Sequence, residues 1–198
     1  MGSVELRWDR IASLGLRPIR ASATQEGVLG GPDLDTPRMG DRFAGDVATA
    51  QLRQDAQSRL LIADLLEGLT VDVKIALRLP NRSRPLGGAV VDGADQSGSV
   101  LNVRGLGRGF APARGDFFSI VHDGRHYVHM ITAQVIADTD GKAALPILPM
   151  LRFLTTDGDR VALDQPMIEG RLVGFDPKGA TFVRNRVDPL SFSIVERR

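Results

Sequence analysis

The 198-residue sequence contains no cysteine. This absence excludes disulfide frameworks, thiolate zinc sites and cysteine nucleophiles, and leaves histidine and carboxylate side chains as the routes to a metal site. Aromatic residues are also scarce, with 8 Phe, 1 Tyr and 1 Trp. Few rings are therefore available for the stacking surfaces that bind single-stranded nucleic acid.

The chain also lacks an excess of charge, with 25 Lys and Arg against 24 Asp and Glu and a net charge of +1. Dedicated nucleic-acid binders carry a basic excess that neutralises phosphates, so the balance argues against that class. Long apolar runs are missing as well. The first residues lack the apolar core of a signal peptide, and stretches such as Leu60–Ala63 are far shorter than a membrane span. We expect a soluble protein without a membrane anchor.

Residues 1–45 contain many helix and strand breakers, among them Gly27, Gly30-Gly31-Pro32 and Pro37. We predict an extended N-terminal arm with one short strand around Val4–Trp8. Such a segment is either a surface loop or a piece that becomes ordered against a neighbouring molecule.

The remaining residues, 46–198, are expected to form one domain that begins with a helix near 46–67. Asp46 is the predicted N-cap and Gly68 the predicted stop. The predicted apolar face follows a spacing of three and four residues: Leu52, Ala56, Leu60, Ala63 and Leu66.

Strict alternation of apolar and polar residues from Val71 to Leu79 predicts a strand with one buried face, ended by the polar Pro80–Pro85 loop. Asp123-Gly124 is a strong hairpin-turn signal. Eight further strands are predicted: Val100–Val103, Asp116–Val121, His126–Ile136, Ala143–Leu148, Val161–Leu163, Ile168–Phe175, Ala180–Arg184 and Leu190–Val195. The pattern predicts a mainly β fold (α+β), an antiparallel sandwich or barrel with one helix.

Three histidines lie within eight residues: His122, His126 and His129. If Asp123-Gly124 is a two-residue turn, His122 faces Arg125, and His129 lies roughly 13 Å further along the ladder. Because His126 then points to the other face, the three cannot share one zinc ion. We interpret them as half-exposed sheet residues and predict no metal site.

Three Asp pairs are explained by turn chemistry rather than by calcium or acid–base catalysis: Asp33/Asp35, Asp138/Asp140 and Asp157/Asp159. The glycines at 105, 107 and 109 match neither the dinucleotide-binding nor the P-loop pattern. No nucleophile elbow is present. We therefore predict no catalytic residues and no cofactor.

The stretch from Arg104 to Arg114 is predicted to be a long, mobile, hairpin-like loop. Loops of this length commonly make contacts, and the alternative is a merely solvated loop. The candidate residues for an assembly interface or a ring lumen are Arg104, Arg108, Phe110 and Arg114.

An ordered series of segments between about residues 45 and 175 resembles small tail-tip proteins of long-tailed bacteriophages, similar to distal tail proteins. The series starts with the helix end at 66–68, the strand from Val71 and the Pro80–Pro85 loop. It continues through Asp95-Gln96-Ser97-Gly98, residues 115–120, Asp123-Gly124, His129-Met130-Ile131-Thr132 and residues 137–152.

The resemblance implies a non-enzymatic virion protein of the tail tip or baseplate, made in the host cytoplasm. Its implied partners are further copies of itself in a ring, expected to be a hexamer, the tail tube protein, and the tail hub or other tip proteins. DNA would only pass through the channel. Larger distal tail proteins often add a carbohydrate-binding-like module, for which this chain has no length left. The alternative is a small β-barrel binding module that recognises nucleic acid or saccharide.

Overall fold

A computed structural model describes residues 2–21, 23–25, 34–36, 40–78, 88–175, 182–183 and 186–197. One α-helix, α1 (Ala56–Glu67), is accompanied by 17 strands in this part of the chain. The strands are β1 (Val4–Glu5), β2 (Ile11–Ile19), β3 (Ala23–Gln25), β4 (Leu34–Thr36), β5 (Arg42–Thr49), β6 (Leu52–Arg53), β7 (Val73–Ala76), β8 (Val90–Val91), β9 (Gly98–Arg104), β10 (Phe117–His122), β11 (Arg125–Ile131), β12 (Ala143–Leu151), β13 (Arg160–Ala162), β14 (Met167–Val173), β15 (Phe182–Val183), β16 (Arg186–Val187) and β17 (Ser191–Val195).

The strands form two main bodies. A six-stranded sheet has the order β1-β7-β14-β17-β5-β2, in which only the β1–β7 pair is parallel. A closed six-stranded barrel has the order β10-β11-β12-β9-β8-β13. The predicted fold class, mainly β with a barrel and one helix, is therefore confirmed.

The barrel is inserted between two neighbouring strands of the sheet. β7 and β14 pair directly, with Ala76 opposite Met167, and all six barrel strands lie between them in the sequence. Where the chain crosses between the two bodies, the Leu77 N–H donates to the Pro166 carbonyl at 2.8 Å.

Each body has its own apolar core. The barrel core contains Phe118, Ile120, Leu145 and other buried side chains from every barrel strand. The sheet core is covered by Leu61, Ile62 and Leu65 of α1. Val128 of β11 belongs to the sheet core, and Phe117 of β10 packs against it, so two barrel strands join the two bodies.

The predicted start of the helix at Asp46 is wrong. Asp46 lies in β5, where its carboxylate faces solvent and bonds Arg17 and Ser193. The helix begins at Ala56, and its N-cap is Asp55, whose side chain accepts from the Ser58 N–H at 2.8 Å. It ends at Glu67, with Gly68 as the C-cap.

The predicted apolar face of the helix is also wrong. Leu60 and Leu66 are 50% and 47% exposed, whereas Leu61, Ile62 and Leu65 are buried. Because leucines occupy both sides of α1, spacing alone does not distinguish the face that packs on the sheet.

The Asp123-Gly124 turn is confirmed, since both residues have positive φ, 49° and 74°, as a type I′ turn requires. The strand predicted from Val71 is shorter, Val73–Ala76, with the expected alternation of burial. The strand predicted to reach Ile136 ends at Ile131, after which the Thr132 N–H donates to Pro146.

Several differences concern the N-terminal part of the chain. The strand predicted at Val4–Trp8 is limited to Val4–Glu5, and a 3-10 turn, Trp8–Arg10, follows it. Residues 11–19, predicted as part of an extended arm, form β2 and pair with β5 along its length. The predicted Pro80–Pro85 loop, and residues 180–181 and 184 of the predicted Ala180–Arg184 strand, lie outside the described residues.

Candidate functional site

Arg104, predicted to be displayed on a mobile loop, is instead the last residue of β9 and is engaged by two carboxylates. Its Nη1 lies 3.0 Å from Asp92 and 2.5 Å from Asp157. Lys142 also contacts Asp92, at 2.9 Å. The hydrogen bonds from Arg104 and the Gly93 N–H lower the pKa of Asp157 to about 2. Arg104 therefore links the loop after β8 to the loop between β12 and β13 at one rim of the barrel.

The rest of the predicted loop is bonded to the segment before β12. The Leu106 N–H donates to the Gly141 carbonyl, and the Ala137 N–H donates to the Phe110 carbonyl at 2.8 Å. Leu106 is buried and Phe110 is half-buried against the barrel core. Of the four candidate residues, Arg108 and Arg114 remain exposed.

The three histidines follow the predicted register, with His122 opposite Arg125 and His129 opposite Phe118. No group of three metal-ligating side chains occurs among the described residues. His122 lies 2.8 Å from Asp159 and stacks on Phe153, which in turn packs against Tyr127.

His129 contradicts the interpretation as a half-exposed residue, because it is fully buried in the barrel. It stacks on Phe118, and its Nδ1 bonds the Pro149 carbonyl at 2.8 Å, which assigns the proton to Nδ1. Nε2 is buried without a partner in the described part of the chain. Burial lowers the pKa of His129 to about 4.

Asp138 and Asp159 act as turn residues, as predicted, whereas Asp157 binds Arg104 and the Gly93 N–H of other segments. Asp138 accepts from the Asp140 and Lys142 N–H groups, and Asp159 accepts from the Thr156 N–H. These bonds use the carboxylates within their own loops. The third pair, Asp33/Asp35, lies outside the residues whose side chains are described.

Sequence reasoning missed a serine, a histidine and a glutamate that meet at the seam between barrel and sheet. Ser119 Oγ lies 3.1 Å from His126 Nδ1, and Glu169 accepts from the His126 main-chain N–H at 3.0 Å. Ser119 is completely buried and also accepts from the Met167 N–H. Since Glu169 does not touch the imidazole, the three do not form a nucleophile–base–acid relay.

A second missed feature is the buried pair of Arg152 and Glu196 in the same seam. The Glu196 carboxylate accepts from the Phe43 N–H of the sheet at 2.9 Å, from the Val128 N–H of the barrel at 2.6 Å, and from Arg152 at 3.0 Å. Burial raises the pKa of Glu196, and these three donors oppose that shift. In β17 the buried Phe192 and Ile194 alternate with less buried positions, and this period of two was a signal that Glu196 points inward.

The sheet carries a long hairpin that continues past it. β2 pairs with β5 from the Ile11–Thr49 pair to the Ile19–Arg42 pair. Beyond that point β3 pairs with β4. Between these two parts the Ala21 N–H donates to the Asp41 side chain at 2.6 Å. In the described part of the chain, β3 and β4 have no third strand beside them.

No family model matches the chain, and no curated protein matches it. Within the described residues, no helix is both long enough and apolar enough to cross a bilayer.

Proposed function

We propose that this protein is a structural subunit of a bacteriophage tail tip, a distal-tail-like subunit that forms a ring and joins the tail tube to the tip or baseplate. The observation that carries the proposal is the β3–β4 ribbon at the end of the long hairpin. A two-stranded ribbon is marginally stable by itself in water, so it gains stability when a neighbouring molecule covers it.

Several charged side chains bind other groups of the same subunit, which also supports a role in assembly. Glu196, Glu169 and Arg104 hold the seam and the barrel rim together through bonds of 2.5–3.0 Å. Such groups fix the shape of a subunit, and ring contacts then arise from heterologous surfaces that close by rotation.

Negative-stain images and native mass spectrometry of the purified chain test the proposal. We expect closed rings of six copies, each ring with six times the monomer mass of 21.4 kDa. A chain that stays monomeric and never joins tail components would refute it. Filter binding at two salt concentrations tests the alternative, because a nucleic-acid module would show strong, salt-dependent DNA affinity.

A shortened hairpin tests the role of the ribbon. Since Ile19 lies opposite Arg42, residues 20–41 can be replaced by a two-residue Asn-Gly turn. We expect the circular dichroism spectrum and the unfolding midpoint to stay near those of the full chain, and the rings to disappear. Rings that form normally from this variant would contradict the assignment of the ribbon to assembly.

A further inference from the structure

β2 forms one edge of the six-stranded sheet. Its nine residues pair with β5 on one side, and no described strand lies on the other side. An unpaired strand edge presents a row of N–H and C=O groups and is a template for another extended chain.

The bonds of β5 show which backbone groups of β2 point to that edge. The Phe43 N–H donates to Glu196, the Glu196 N–H donates to Phe43, and the Thr49 N–H donates to Leu190. Odd-numbered residues of β5 thus bond toward β17, and even-numbered residues bond toward β2. Because Pro18 lies opposite Phe43, the even-numbered residues of β2 turn their backbone groups outward.

The free edge therefore offers the N–H and C=O groups of Leu14 and Leu16, and the carbonyl of Pro18. Proline is tolerated here because its nitrogen faces away from β5. The side chains of Leu14 and Leu16 are only partly buried against the sheet core. A strand placed at this edge would bond both N–H groups and cover both leucines.

We propose that two copies of this chain pair through β2, antiparallel, about a two-fold axis at Gly15. In this register Leu14 and Leu16 of one copy face Leu16 and Leu14 of the other, so each of the four N–H groups meets a carbonyl. Arg17 faces Ser13 of the second copy, so like charges are not opposed. An edge with two donors and matching carbonyls is self-complementary, which selects a second copy as the occupant.

Two features limit the pairing to the middle of β2. The register shifts between Ile11 and Ser13, and Pro18 lacks an N–H at the other end. Gly15 lies between these limits, and a Cβ there would meet nothing within 4 Å. The contact is isologous and does not depend on the virion role, since a ring is closed by a different, heterologous contact.

The absence of cysteine makes a disulfide test direct. In a non-hydrogen-bonded antiparallel pair the two Cα atoms are about 4.5 Å apart, which a disulfide can bridge. We expect Gly15→Cys to form a disulfide-linked dimer under mild oxidation, seen on a non-reducing gel. Gly88→Cys is the matched control, because Gly88 is also exposed with open space around its Cβ. Equal cross-linking of the two variants would overturn the proposal.

A charge variant supplies an independent measurement on the reduced protein. Because the β2 contact would join two six-membered rings, we expect light scattering to give twelve copies for the natural chain and six for Gly15→Lys, while Gly88→Lys keeps twelve. If hexamers form but Gly15→Cys does not cross-link, the proposed β2 contact is refuted and the ring proposal stands. Dimers that cross-link at Gly15 without rings would support the contact and refute the ring.

Discussion

The barrel and the six-stranded sheet differ in whether they have edge strands. Every barrel strand has two neighbours, so the barrel has no edge strand, and the His126 and Val128 N–H groups of β11 bond glutamate side chains of the sheet. Among the described strands, the six-stranded sheet is open and ends at β1 and β2. Contacts with other chains through the backbone are thus expected from the sheet, while the barrel provides a closed, filled body joined to it through one seam.

Removal of the Glu196 carboxylate should have the largest effect on this arrangement. In Glu196→Ala, Arg152 stays buried without its partner, and two backbone N–H groups, one from each body, lose their acceptor. Loss of one member of a buried pair costs about 3–5 kcal/mol of unfolding free energy.

Urea denaturation checks this expectation. The fluorescence of Trp8, the single Trp of the chain, reports on the sheet, and circular dichroism reports on both bodies. We expect one coincident transition in the natural protein and a much lower midpoint in Glu196→Ala. The exposed Glu67→Ala is the control, and equal stability of the two variants would contradict a structural role for the seam.

Truncation inside the barrel should have the next largest effect. Leu145 is fully buried in β12, and Leu145→Ala leaves a cavity that costs about 3 kcal/mol. Leu148→Ala, in the same strand but 48% exposed, is expected to change stability far less. Thermal unfolding distinguishes the two, and similar losses would show that the barrel is not a packed core.

The pH dependence of stability should be the smallest of the three effects. Burial lowers the pKa of His129 in the folded protein to about 4, against an ordinary histidine value of 6.5, so the unfolded chain binds the proton first as pH falls. Stability that is present above pH 6.5 is lost progressively toward pH 4, about 2 kcal/mol between pH 7 and pH 5. Burial lowers the pKa of His126 as well, which acts in the same direction.

Denaturation midpoints of the natural protein and of His129→Leu at pH 7, 6 and 5 test whether His129 causes this pH dependence. The variant loses the bond to Pro149 and is expected to be less stable at pH 7, but with a shallower decline toward pH 5. A decline as steep as that of the natural protein would assign the effect to other groups.

The barrel was largely predictable because its strands alternate regularly and are separated by clear turn residues such as Asp123-Gly124. The strands β2 and β5 escaped detection because Gly15, Pro18 and Gly45 are poor strand formers, and they are held by pairing with each other. The apolar spacing from Asp46 onward is typical of a helix. Residues 46–49 nevertheless form the end of β5, because pairing with β2 decides their conformation.

The groups that join the two bodies could not be predicted from local pattern. Arg104 meets Asp157 across 53 residues, and Glu196 meets Val128 across 68. The open edge of β2 likewise exists only because five other strands assemble beside it. Spacing within a segment contains no information on such long-range partners.

The insertion of the barrel between β7 and β14 has a consequence for the order of folding. Pairing Ala76 with Met167 in an unfolded chain closes a loop of about 90 residues and carries the corresponding entropic penalty. If the barrel folds first, its two ends are already held close together, and the remaining loop is short. We therefore expect the middle of the sheet to form after the barrel.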